Sequence, residues 1–119
     1  IASPIYLSDL TGPLISLASR LQVYYAAKRF LKKEIRGKEK TGVLIIVGGG
    51  DGKADHAIEI SNWMFKKMNA TCQEENKVFS LKTDNLPAAA DLEAQSKIKE
   101  IATKLNNKHQ AIKICLDLG

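Results

Sequence analysis

Val43, Leu44, Ile45, Ile46 and Val47 form an unbroken apolar run, and Gly48, Gly49, Gly50, Asp51 and Gly52 follow it directly. With no polar residue on either side of the pleat, the run fits a strand buried on both faces, as strands of parallel sheets between helices are. The glycines close that strand at its carboxyl end, the end outside which open α/β sheets place their ligands. Missing side chains also let main chain approach a ring or a phosphate closely.

A second junction of the same kind opens the chain. Ser3, Pro4, Ile5 and Tyr6 read as an apolar strand end, and after a short turn Thr11, Gly12 and Pro13 open a helical pattern. Thr11 can cap that helix through its hydroxyl, and Pro13 is tolerated in a first turn. The strand delivering this loop is a stub, so the chain is expected to be the later, N-terminally truncated part of a larger α/β unit.

Between the two loops, Leu14, Leu17, Ala18, Leu21, Tyr25 and Leu31 recur at helical spacing, which predicts one helix over residues 11–34. It ends in a basic stretch: Lys28, Arg29, Lys32, Lys33, Arg36, Lys38 and Lys40. Cations complement the negative end of a helix, so a solvated face is one reading. A patch for a dinucleotide phosphate or another polyanion is the other.

After the glycines, Ala54, Ile58, Ser61, Phe65 and Met68 mark the buried stripe of a helix over residues 53–69, with Trp63 and Met64 at its margin. Residues 77–81 make a shorter strand. Asn85 and Pro87 then signal a last helix, with Ala94, Ile98, Ile101, Ala102 and Leu105 inward and a stop near Asn107. Strands alternating with helices argue for a parallel sheet with right-handed crossovers. In the tail, Ile112, Ile114, Leu116 and Leu118 alternate with polar residues and Cys115, which fits an extra edge strand or a disordered end.

The 119 residues bound this to one domain, with 18 Lys and Arg against 13 Asp and Glu for a net charge of +5. That excess favours anionic partners without identifying one. Cys72 and Cys115 have no partner at metal-ligand spacing, so free thiols in a reducing compartment are expected. Neither a spanning apolar run nor an export signal is present in the sequence, and a cytoplasmic protein with no membrane partner is expected. The glycosylation triplet Asn69, Ala70, Thr71 is discounted on the same ground.

Nucleotide motifs fail on inspection. A Walker loop ending at Gly52 and Lys53 needs glycine at Val47 and Ser or Thr at Ala54. A dinucleotide fingerprint on Gly48 and Gly50 needs glycine at Lys53. A plain glycine turn therefore remains open beside a binding one. His56, in a first helical turn beside Asp55 and Glu59, and His109, near a helix end, read as surface residues. Ser8 and Asp9 match a hydrolase triad in type only. No catalytic acid, base or nucleophile is legible.

Residues 1–6 (Ile-Ala-Ser-Pro-Ile-Tyr), followed by Asp9, Thr11, Gly12, Pro13 and Leu14, resemble the loop after the third strand of NAD(P)H-dependent FMN reductases of the flavodoxin-like superfamily. Residues 43–52 are similar to that family's fourth strand and its loop. The resemblance implies a single, partial flavodoxin-like domain over 1–119, the side of the sheet carrying strands three, four and five. It also implies FMN as cofactor, a nicotinamide dinucleotide as reductant and often a homodimer. Carried over by motif, Ser3, Pro4, Ile5 and Tyr6 would touch the flavin ring, and Gly49, Gly50 and Asp51 would line its other border. The flavin supplies the redox chemistry, which agrees with the lack of a catalytic side chain.

The chain departs from the family in having no Ser/Thr/Arg-rich phosphate loop, which reduces the expected affinity. Losing the first two strands would open a sheet edge, and such edges recruit other chains or are covered, here in part by the tail strand. The competing reading is a cofactor-free flavodoxin-like binding or assembly module. A nucleic-acid binder using residues 28–40 has no known motif behind it, and nucleic acid is not expected as a partner.

Overall fold

The central strand is the apolar run. In the computed structural model, which describes residues 1–35 and 37–117 (backbone alone over 111–117), Leu44–Val47 forms β3 between β1 (Ala2–Pro4) and β5 (Lys77–Ser80). Both neighbours are parallel to it, with Ala2 opposite Ile45 and Val78 opposite Ile45 on the other side. The chain is thus α/β: a parallel sheet with helices packed on it.

Burial on both faces follows the strand period. Leu44 and Ile46 are fully buried with Leu10, Leu21, Ala57, Met64 and Phe65, while Ile45 and Val43 pack with Val78, Ala94 and Ile101 on the opposite face. Helices α1 (Gly12–Arg20), α2 (Gln22–Phe30) and α3 (Asp55–Lys67) serve the first cluster. Helix α4 (Leu92–Asp117) serves the second. A second parallel pair, β2 (Lys40–Thr41) with β4 (Ala70–Thr71), lies at the amino end of the sheet and has no counterpart in the sequence reading.

Several expectations are corrected. The single helix over 11–34 is two helices broken at Leu21, whose ψ is −9°: its N–H is shared between the Leu17 and Ala18 carbonyls at 3.1 Å each, Tyr24 N–H bonds back to it at i+3, and its side chain enters the core. The second ends at Phe30, because Lys32 takes a left-handed φ of 53° and Lys33 N–H reaches back to the Ala27 carbonyl at 3.2 Å. Lysine thus occupies the left-handed position after the helix end where glycine is usual. Met64, placed at the margin of α3, is fully buried, whereas Trp63 stays partly exposed.

The start signal at Asn85 and Pro87 opens only a short 3-10 turn, Ala88–Ala90. Asp91 caps α4 instead: its carboxylate accepts from Ala94 N–H at 3.0 Å and from the Ser80 hydroxyl at 2.7 Å. Residues 112–117 are not an edge strand. They continue α4, since nothing at Asn106 or Asn107 breaks the helix and no glycine or proline follows before its end. Leu118 lies outside the described residues, and so does the Cys115 side chain.

Candidate functional site

Parallel pairing of β1, β3 and β5 brings the loops that follow them, residues 5–11, 48–54 and 81–87, to one rim. These loops are bonded to one another. Ile5 N–H donates to the Val47 carbonyl at 2.8 Å, Gly48 N–H to Ser80 at 2.8 Å, and Thr83 N–H to Gly48 at 3.1 Å. A Cβ added at Gly48 would stand 3.4 Å from that of Ile5. The two sequence-predicted segments are therefore neighbours.

Within the first segment the residues divide. Ser3 is 4% exposed, and its hydroxyl donates to the Pro4 carbonyl at 2.7 Å while accepting from Thr11 N–H at 3.2 Å. Thr11 makes no side-chain cap of its own; the Ser3 hydroxyl ties the start of α1 to β1 instead. Ile5 is half-buried against the core. Pro4 is exposed and Tyr6 is 66% exposed, so Tyr6 offers a free aromatic face. Beyond it Leu7 and Ser8 have φ of 52° and 64°, a left-handed pair at the tip of the loop.

In the second segment Gly49 is half-buried, and a Cβ there would overlap the Asp84 carboxylate. Gly50, at φ +65°, donates its N–H to Asp84 Oδ2. The third loop, unmarked in the sequence reading, thus supplies an anion to the glycine turn. Asp51 is exposed and bonded to Lys53, whose Nζ lies 2.9 Å from Oδ2. That contact holds the Asp51 carboxyl below its ordinary range and raises the Lys53 ammonium above its own.

One further pair was not legible. His56 Nε2, in the first turn of α3, lies 3.5 Å from Asp9 Oδ2, whose other oxygen accepts from Leu10 N–H at 2.7 Å. The two are far apart in the chain, and only the shared rim joins them. His109, by contrast, lies in the body of α4 rather than near its end. Among the described residues no group of three or more His, Cys, Asp or Glu is placed to hold a metal, and no helix is long and apolar enough to cross a membrane.

Two clefts open on the opposite, amino rim. One of about 540 Å³ runs between α2, the 34–35 segment, the end of α3 and β4. A smaller one of about 310 Å³ lies around Lys40, Thr71, Asn76 and Lys108. Cys72, a free thiol, lines the larger cleft, and burial pushes its thiol above the ordinary cysteine value. Comparison of the chain with family models, with curated proteins and with solved structures finds no match.

Proposed function

We propose that the carboxyl rim holds the isoalloxazine ring of a flavin, in a flavodoxin-like protein of the NAD(P)H-dependent FMN reductase type, with a nicotinamide dinucleotide as reductant. The supporting observation is the parallel β1 and β3 pairing, which brings the loop carrying exposed Tyr6 and the glycine turn to one rim. Tyr6 offers the ring an aromatic face, and Gly49, Gly50 and Asp51 border it with main chain. When bound, flavin supplies hydride and electron transfer, and the protein orients it. His56 and Asp9 stand on the same rim, 3.5 Å apart.

Among the described residues of this rim the phosphate of FMN finds no dedicated cradle. Asp84 already satisfies the Gly50 amide with a carboxylate, and a second anion there would be repelled. Riboflavin and FMN should therefore bind about equally. The test is flavin-fluorescence titration of the chain with both. Binding is expected to weaken about fivefold in Tyr6→Ala, the worth of one aromatic stacking contact. A flat titration up to about 1 mM with either flavin would refute the reading.

The alternative, a cofactor-free binding or assembly module, draws on two observations. Asp84 fills the glycine turn, and Val23, Phe30 and Leu31 on and after α2 are 60%, 73% and 65% exposed. It expects no flavin response but self-association in sedimentation, weakened in Phe30→Ser. The reductase reading also expects a homo-oligomer, so the flavin titration separates the two.

A further inference from the structure

The larger amino-rim cleft is built differently from the carboxyl rim. Its floor is the ring of Phe65, 5% exposed and locked in place by the missing side chain of Gly42, where a Cβ would come within 2.9 Å of the ring. Its walls are apolar surfaces left open to the cleft: Tyr25 is 46% exposed and Ile35 54%. The Tyr25 ring is flanked by cations, with Arg29 5.9 Å and Lys67 5.8 Å from its centre, and the Arg29 guanidinium also donates to its hydroxyl at 2.7 Å. These aromatic surfaces are fixed rather than adaptable.

The rim of the same cleft is cationic. Lys28, Lys66 and Lys67 line it against one carboxylate, Glu34, which stands 3.5 Å from Lys28 across an exposed pair. Lys66 forms no ion pair among the described residues. A cleft of about 540 Å³ with apolar patches among polar and charged groups falls in the range of small-molecule sites. From this we propose that the amino-rim cleft binds an aromatic anion of nucleotide size, with the flat part between Tyr25, Ile35 and Phe65 and the anionic part at Lys28 and Lys66. Cation–π contacts already made by Lys67 leave its charge close enough to add to the field. This site is independent of the flavin reading, which concerns the opposite rim.

Cys72 reports on occupancy because it lines the cleft. The experiment follows maleimide alkylation of Cys72, resolved from Cys115 by peptide mass spectrometry. It is run with AMP, GMP, CMP, UMP and anilinonaphthalene sulfonate as probes, and with adenosine and inorganic phosphate as controls. At least one aromatic anion at about 5 mM is expected to slow alkylation severalfold, while each control does so at least tenfold more weakly in concentration. Lys28→Glu with Lys66→Glu should abolish the protection. Lys66→Gln, an exposed change that leaves the fold intact by circular dichroism, should weaken it about threefold.

The proposal fails if none of the five probes shields Cys72. It fails equally if phosphate alone, or adenosine alone, shields as well as the nucleotide, or if the lysine variants protect like the parent. Riboflavin, which carries no phosphate, leaves Cys72 alkylation unchanged when it binds at the carboxyl rim, so the two readings fail separately.

Discussion

Replacing Leu7 and Ser8 by Asn and Gly should stabilise the protein. Tyr6 and Asp9 exchange two backbone hydrogen bonds of 3.1 Å, and the two residues between them have φ of 52° and 64°. Positive φ at both central positions defines a type I′ turn, for which Asn-Gly is the preferred pair. An ordinary L-residue held left-handed costs roughly 1–2 kcal/mol, Asn less, and glycine nothing. Glycine returns roughly 0.4–1 kcal/mol of that through a freer unfolded chain. For Leu7→Asn with Ser8→Gly the net gain is about 1–2 kcal/mol. With unfolding entropy near 2.1 cal/mol/K per residue over 119 residues, this raises the melting temperature by about 4–8 °C. Leu7 is fully exposed, at 101%, so Leu7→Ala removes no packing and should melt with the parent. Scanning calorimetry of the three proteins decides. A double variant melting at or below the parent would refute the argument that this loop is strained.

Met64→Ala empties a fully buried site under α3 and should lower stability by about 2–5 kcal/mol in urea unfolding, with the m-value unchanged. Gly49→Ala would displace the Asp84 carboxylate, so amide exchange at Gly50 should accelerate at least about tenfold while the core amides hold. The Ala94 amide and then the Ser80 hydroxyl hold the Asp91 carboxyl below its ordinary value. Its contribution is therefore present above the ordinary carboxylate pKa and lost as pH falls through the lowered one. Asp91→Asn should reduce neutral stability and flatten the acid limb of melting temperature against pH; an unchanged acid limb would remove Asp91 from that role.

The parts of the fold legible in sequence are those whose signal is local. The 43–47 run and its glycines announce a two-face-buried strand, and the Ala94, Ile98, Ile101 and Leu105 spacing announces the packed part of α4. The breaks were hidden for a physical reason. Lys32 adopts a backbone state that its type seldom takes, and nothing in the composition of residues 28–34 marks it. Asn85 and Asp91 are both good cap residues, and the choice between them is made by Ser80 on a neighbouring strand. Alternation over residues 112–118 fits a strand by period alone, yet residues 112–117 extend an already nucleated helix, where each added residue costs little. The strands β2 and β4 are too short to show any period. At the candidate site, Tyr6 and the glycine turn were marked by type, whereas Asp84, Asp9 and His56 lie on three segments that only the assembled sheet brings together.

Among the described residues, the order β1, β3, β5 leaves one side of Ala2–Pro4 without a neighbouring strand. Ile1 and Ile5 direct their peptide groups inward, Ile1 accepting from Ile45 N–H at 2.9 Å and Ile5 donating to Val47. The intervening residues, Ala2 and Pro4, must therefore point theirs away from the sheet. Proline has no N–H, so a foreign segment aligned along this border would meet a single amide, that of Ala2. The border is a poor template for lengthening the sheet, and copies of the protein that meet here must adhere through side chains instead of backbone rungs.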